Sequence, residues 1–371
     1  MKVGIPSEVK NNEFRVAITP AGVHELVRHG HEVYVQQGAG LGSSITDAEY
    51  VAAGGAILPT ADEVWAIADL LLKVKEPIEE EYHRLRKDQT LFTYLHLAAS
   101  RPCTDALIAS GTTAIAYETV ETADRRLPLL APMSEVAGRL APQVGAYHLM
   151  RAAGGRGVLP GGVPGVAAGK AVVIGGGVSG WNATQIAVGT GFHVTLLDRD
   201  INKLKEADKV FGTKVQTVVS NSFELERACL EADLVIGAVL IPGAKAPKLV
   251  TNELVSRMKP GSVLVDIAID QGGCFEDSHP TTHAEPTFQV HNSVFYCVAN
   301  MPGAVPNTST HALTNATLPY ILELADRGWA EALRRDAALA KGLNTHDGKV
   351  VYREVAEAHG LEHTELSALL G

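Results

Sequence analysis

The sequence predicts an α/β protein made of two doubly wound domains on parallel sheets, with a cleft between them. Three observations carry that expectation. The chain has 371 residues, which is two domains' worth at about 100–200 residues each. It is 46% hydrophobic and 20% charged, the balance of a chain that buries a core. And short apolar runs alternate with glycine-bearing turns and helix-length segments, as they do when both faces of a parallel sheet are covered by helices.

Taken in order, Lys2–Ile5 reads as the first strand. Thr19-Pro20 supplies an N-cap and a proline at the first helical position, and Gly30 stands where that helix ends. Glu32–Gln36 is the next strand, and Leu70–Val74, Leu91–Leu95 and Ala114–Tyr117 are further apolar runs. A helix over about residues 134–153 ends at Gly154-Gly155. The following GRGVLPGGVPGVAAGK reads as a loop or hairpin. From Ala171 the alternation restarts with AVVI, HVTLLD, VQTVV, DLVIGAV, SVLVDIAI and VFYCV, six strand candidates in one run. That is the count of a complete Rossmann domain. Residues from Thr308 to Arg327 read as a helix, and the rest of the tail as helical or irregular. A Rossmann unit flanked on both sides predicts that residues 1–129 and 307–371 form one Rossmann-like domain together, around residues 130–306.

Ala171–Ile174 runs straight into Gly175-Gly176-Gly177-Val178-Ser179-Gly180, a G-x-G-x-x-G turn opening a helix. In such a turn Gly175 permits the tight bend, Gly177 lets the backbone approach a pyrophosphate, and Gly180 lets helix and strand pack closely. The helix start then offers amide hydrogens to the anion. HVTLLD ends on Asp198, 23 residues after Gly175, near the roughly 20 expected of an acid that accepts hydrogen bonds from a ribose. An acid there repels a 2′-phosphate and favours NAD over NADP, although Arg199 and Lys203 lie nearby. Residues 130–306 are therefore the expected NAD-binding domain.

Composition narrows the remaining classes. A net charge of −10 disfavours nucleic acid or an anionic membrane as partner, since both need a basic face. No apolar stretch approaches the roughly 18 residues of a membrane span, and the opening segment turns polar after Ile5, so a cytoplasmic protein is expected. The four cysteines are widely spaced, which suits neither a disulfide framework nor a zinc ribbon. Asp277, His279, His283, Glu285 and His291 superficially resemble a metal set, but two prolines interrupt the segment, and no metal is expected. Cys274 lacks an identifiable base, and the aromatics, at 5%, are unclustered in sequence.

Ligands of open α/β sheets bind outside the carboxyl ends of the strands. Arg15, Lys75, His96 and Asp270 all follow strand candidates. Taken singly, Arg15 and Lys75 also read as solvated loop charges, His96 as a histidine satisfied by backbone, and Asp270 as a turn cap. As a set they suit oxidation of a small amino or hydroxy acid. Cations grip the carboxylate, a histidine moves the proton, and a carboxylate balances an iminium.

The segments MKVGIPSEVKNNEFRVAITPAGV, LLLKVKEP, TYLHLA, APMSEVAGR, GGGVSG, VDIAIDQGGCFE and YCVANMPGAVPNTST span residues 1 to about 320. Together they closely resemble the alanine dehydrogenase/pyridine nucleotide transhydrogenase family. The resemblance implies reversible deamination of L-alanine to pyruvate and ammonia with NAD. It gives substrate binding to Arg15 and Lys75 and catalysis to His96 and Asp270. It also gives cofactor contacts to Ser134, Val178, Ser179, Asp198, Lys203, Ser220, Val239, Leu240, Ile267, Val298, Asn300 and Met301. Relatives often carry arginine at the position of Lys203 and some at that of His279, and members are commonly homohexamers. A transhydrogenase subunit handing hydride to a membrane partner, and a non-catalytic NAD sensor, are the competing readings. The four ionisable residues weigh against both.

Overall fold

The computed structural model describes residues 1–239 and 246–370, with only the backbone of Gln271. Two compact units divide the chain. Met1–Met133 and Val305–Gly371 make the first, and Ser134–Ala304 the second. Fifteen strands lie among the described residues: β1 Lys2–Ile5, β2 Glu32–Gln36, β3 Ala56–Leu58, β4 Leu70–Leu72, β5 Thr90–Thr93, β6 Thr113–Ala116, β7 Lys170–Ile174, β8 His193–Asp198, β9 Val215–Val219, β10 Leu234–Gly237, β11 Val263–Asp266, β12 Thr287–Val290, β13 Ser293–Tyr296, β14 Leu343–His346 and β15 Lys349–Val350.

In the first unit the sheet order is β15-β14-β6-β5-β4-β1-β2-β3, with β1 to β6 all parallel to their neighbours among them. The helix Pro20–Arg28 starts as its sequence directs, with the Thr19 hydroxyl accepting from the Gly22 amide. Val64, Trp65, Leu71, Leu91, Leu107 and Ala114 pack in one core. The C-terminal tail departs from the sequence expectation: β14 adds antiparallel to β6, and β15 pairs with β14. Only Leu343 of β14 is apolar. Buried Asn344 takes its place in the sheet because its side-chain amide donates to the Gly342 carbonyl at 2.9 Å and to Thr119 Oγ1 at 3.0 Å. The helix Pro306–Arg327 reaches the start of the chain, where Thr310 Oγ1 accepts from the Val16 amide at 3.1 Å and pairs with Ser43 Oγ at 2.8 Å.

The second sheet runs β12-β13-β11-β10-β7-β8-β9, the six parallel strands of a doubly wound domain plus an antiparallel edge strand. That edge strand, β12, was not expected. It turns back into β13 through His291-Asn292, with His291 at φ +50°. Side chains alternate between faces with the strand period of two. Val173, Leu196, Ile236 and Val265 join the core on one face, and Val172, Leu197, Val235 and Leu264 that on the other. The helix expected over 134–153 is Ala131–His148, followed by a separate tight turn at Arg151–Ala153. A Val163–Val166 bridge makes the glycine-rich segment a hairpin. Strands β4, β5 and β11 end two or three residues before their apolar runs do, because Val74, Leu95 and Ile269 are buried from outside the strands.

Candidate functional site

In the first unit β1, β4 and β5 are parallel neighbours, so the loops that follow them leave from one edge. Arg15 lies in the loop after β1, Lys75 just beyond β4, and His96 just beyond β5. Arg15 is 2% exposed, and its Nε and Nη2 each donate to a different oxygen of buried Glu13 at 2.6 Å. Its Nη1 lies 2.9 Å from Met133 Sδ. Burial works against the guanidinium charge, but the Glu13 carboxylate outweighs it, so the arginine is held above its ordinary value.

Lys75 is half-buried, and its backbone rests on Glu8. One Glu8 oxygen accepts from the Val74 amide at 2.6 Å, and the other from the Lys75 amide at 3.3 Å and Lys73 Nζ at 3.1 Å. Lys73 also pairs with Glu81 at 2.9 Å, with all three side chains at most 2% exposed. Burial raises the Glu8 carboxyl in spite of Lys73. It also opposes the Lys73 charge, which the two carboxylates sustain above its ordinary value. Glu8, Glu13, Lys73 and Glu81 belong to no motif in the sequence. The signal for Lys73 was its place inside the apolar run LLLKV, where a lysine needs buried partners.

His96 has its side chain 44% exposed. Its ring stacks on Tyr94, 5.9 Å between centroids and 7° between planes. Tyr94 donates its hydroxyl to the Leu129 carbonyl at 2.5 Å, and burial raises it. Aromatics scattered in sequence do gather here, for Tyr117 packs edge-on against both Phe92 and Tyr94. Arg15, Lys75 and His96 thus follow three neighbouring parallel strands at one edge of the sheet.

Asp270 belongs to the second unit. It is exposed, in a tight turn Ile269–Gln271 past the end of β11 rather than on the strand. The loop carrying it hangs on buried Asp266. That carboxylate accepts from the amides of Ala268 at 3.1 Å, Cys274 at 2.8 Å and Phe275 at 3.2 Å, and from Ser278 Oγ at 2.5 Å. Lys248 Nζ adds bonds to the Gly272 and Phe275 carbonyls at 2.5 and 2.9 Å. Burial pushes the Cys274 thiol up to about 12, away from the thiolate form.

The glycine turn has a geometry suited to an anion. Gly177 caps the helix Val178–Gly189 with no side chain on its amides, and a Cβ on Gly177 would meet nothing within 4 Å. At Gly180 a Cβ would lie 1.7 Å from the Gly175 carbonyl oxygen. Asp198 Oδ2 accepts from the Gly176 amide at 2.6 Å and Oδ1 from the Asp200 amide at 2.8 Å. Lys203 Nζ lies 3.5 Å from Oδ2. The other residues singled out for the cofactor follow strand ends. Ser220 follows β9 and donates its amide to the Asp198 carbonyl, Val239 follows β10, Ile267 follows β11, and Val298, Asn300 and Met301 follow β13. Ser134 lies half-buried in the first turn of the helix Ala131–His148, Val178 is exposed and Ser179 half-buried. Leu240 lies outside the described residues. Among the described residues no group of three His, Cys, Asp or Glu side chains is placed to hold a metal ion, and no helix is long and apolar enough to cross a membrane.

The models of alanine dehydrogenase/PNT match this chain twice, the N-terminal domain over residues 4–137 and the C-terminal domain over 141–353. The chain belongs to the alanine dehydrogenase/PNT family. It is 68% identical to the alanine dehydrogenase of Mycolicibacterium smegmatis and 67% to that of Mycobacterium tuberculosis, each over the whole of both chains. A solved L-alanine dehydrogenase superposes with a TM-score of 0.95 at 51% identity, covering 97% of this chain and 99% of that one. A transhydrogenase from Sinorhizobium meliloti superposes at 0.83 with 27% identity, covering 95% and 100%. Membership in this family, with a doubly wound nucleotide-binding unit, implies a nicotinamide cofactor. The uncapped helix start and the open approach at Gly177 fit its pyrophosphate.

Proposed function

We propose that the protein catalyses the reversible oxidative deamination of L-alanine to pyruvate and ammonia, with NAD as hydride acceptor. The observation that carries this reading is the shared edge of β1, β4 and β5, where a buried arginine, a lysine and an accessible histidine follow neighbouring parallel strands. Full-length relatives named alanine dehydrogenase support the choice of substrate.

Arg15 and Lys75 supply the positive charge for the substrate carboxylate, Arg15 with its Nε–Nη2 edge already held on Glu13 and Lys75 as a point charge. His96 takes the proton from the substrate ammonium, since a cationic nitrogen opposes loss of hydride from Cα. The bound nicotinamide supplies the hydride acceptor. His96 passes that proton to solvent and takes another from the water that adds to the iminium, whose positive charge Asp270 balances. The histidine returns this proton to the carbinolamine nitrogen, and ammonia leaves as the hydroxyl proton goes back to His96 and the carbonyl of pyruvate forms. Gly175, Gly177 and Gly180 with Val178 and Ser179 hold the pyrophosphate. Asp198, with Lys203, faces the ribose and favours NAD. Ser134, Ser220, Val239, Leu240, Ile267, Val298, Asn300 and Met301 complete the cofactor contacts. On this reading residues 1–129 and 307–371 are the substrate domain and 130–306 the NAD-binding domain of a cytoplasmic homohexamer.

Initial rates of NADH formation at 340 nm test it, with alanine, serine, glycine and lactate against NAD⁺ and NADP⁺. Turnover confined to alanine with NAD⁺ is expected, and His96→Ala should lose about 10²–10⁴ of it while still binding NADH. Protein that binds NADH but turns over none of these substrates would instead be a hydride-handing subunit or a sensor.

A further inference from the structure

Glu118 has no role in the chemistry above, yet it holds the residue that does most of it. It follows β6 directly, in the turn Tyr117–Thr119, with its side chain 13% exposed. From there its carboxylate meets the loop at the end of neighbouring β5. The Leu95 amide donates to both oxygens at 3.2 Å, and the His96 amide to Oε1 at 2.6 Å. The same Oε1 lies 3.8 Å from His96 Nδ1.

That clamp has a particular backbone to hold. His96 sits at φ +48° and ψ +38°, the left-handed region, which a residue with a Cβ occupies only when its surroundings enforce it. Two successive amides aimed at one carboxylate supply the enforcement from one side, and the parallel Tyr94 ring supports the imidazole. The titratable groups facing His96 in the described residues are Glu118 from the end of β6 and Tyr94 from the loop after β5. His359 from the helix Arg353–His359 reaches only the neighbouring Leu97 carbonyl, at 2.7 Å. The Tyr94 hydroxyl is engaged at Leu129, which leaves Glu118 as the negative charge beside the ring.

We infer that Glu118 is a positioning residue for His96. It fixes the left-handed turn that presents the ring, and it places a carboxylate beside Nδ1 that steadies the imidazolium whenever the ring takes a proton. The inference rests on the reading of His96 as the acid/base group.

The experiment is the pH profile of kcat/KM for L-alanine in the wild type, His96→Ala, Glu118→Gln and Glu118→Asp, with NADH binding measured beside it. A glutamine oxygen in the place of Oε1 can still accept from both amides, but its NH2 group then faces the Leu95 amide and the side chain carries no charge. Glu118→Gln is expected to lower kcat/KM about 10–100-fold and to move the acidic limb of the profile to lower pH, with NADH affinity unchanged. Glu118→Asp keeps the charge, so its limb should stay in place with a smaller loss of rate. A wild-type profile in Glu118→Gln overturns the inference, and so does a loss of rate with an unmoved limb. Should Glu118→Gln fail to fold, Glu118→Asp decides: a reduced rate with an unmoved limb supports the inference, and a wild-type rate or a moved limb overturns it. Full turnover in His96→Ala would instead overturn the functional reading, whatever Glu118 does.

Discussion

At the carboxyl ends of β1 and β4 the loops rest on buried side-chain charge, whereas at the ends of β7 and β8 they rest on glycine backbone. In the first region Arg15 is gripped by Glu13, and Lys73 sits between Glu8 and Glu81, all nearly without solvent. In the second, Asp198 takes the Gly176 and Asp200 amides, and the turn closes because Gly180 carries no side chain. The difference follows from what each region is proposed to hold. A small carboxylate needs cations fixed at set positions, and fixed cations under a core need buried counter-charges. A pyrophosphate is met by backbone amides, which need close approach more than charge.

The largest effect should come from breaking the charge cluster. Lys73→Met leaves Glu8 and Glu81 buried without their cation, a loss of about 3–5 kcal/mol when one partner of a buried pair is removed. Chemical denaturation of the variant against the wild type measures it. A loss below about 1 kcal/mol would mean that the two carboxylates find water or protons cheaply, and the contrast between the two regions would then be one of geometry alone.

The same contrast explains what could be read in the sequence. Gly175, Gly177, Gly180 and Asp198 were legible because their spacing is dictated by the backbone, and six apolar runs marked the sheet around them. Arg15, Lys75 and His96 were legible as chemistry-bearing residues after strands. Their supports were not, because Glu8, Glu13, Glu81 and Glu118 lie in polar stretches where glutamate ordinarily faces water, and only the fold brings them to their partners. Asp266 is hidden differently: it stands in the middle of an apolar run, while its four hydrogen bonds come from a loop whose path no periodicity encodes. Strand β14 escaped for the same reason, being held by Asn344 rather than by an apolar pattern.

Asp266 tests whether the second region also depends on charge. Burial raises its carboxyl above the ordinary value of 3.8, and the hydrogen bonds from Ser278, Phe275, Cys274 and Ala268 oppose this only in part. Such a group binds protons more readily folded than unfolded, so its contribution to stability falls as pH rises from 3.8 through the raised value. Asp266→Asn removes that slope. It also turns an amide donor toward amide hydrogens, at about 1–3 kcal/mol. Thermal denaturation at about pH 4 and about pH 7 should show the wild type ahead at both, with the wider margin at the lower pH. A margin that widens as pH rises would mean that the carboxylate, not the protonated acid, is the form the fold favours.

The smallest effect on stability belongs to Gly177→Ala, and its smallness is informative. Gly177 has φ −74°, which alanine adopts freely, and its added Cβ would touch nothing within 4 Å. Only the weaker N-capping of alanine remains, about 1 kcal/mol or less. If that open space is where a pyrophosphate lies, the methyl group instead obstructs the ligand, and NADH affinity should fall on the order of tenfold, about 1.4 kcal/mol of binding. Calorimetric unfolding and NADH fluorescence titration on the same protein separate the two. Unchanged affinity in a stably folded Gly177→Ala would place the cofactor elsewhere and leave the turn a structural feature, while a large loss of stability would show the turn to be as dependent on its packing at Gly177 as at Gly180.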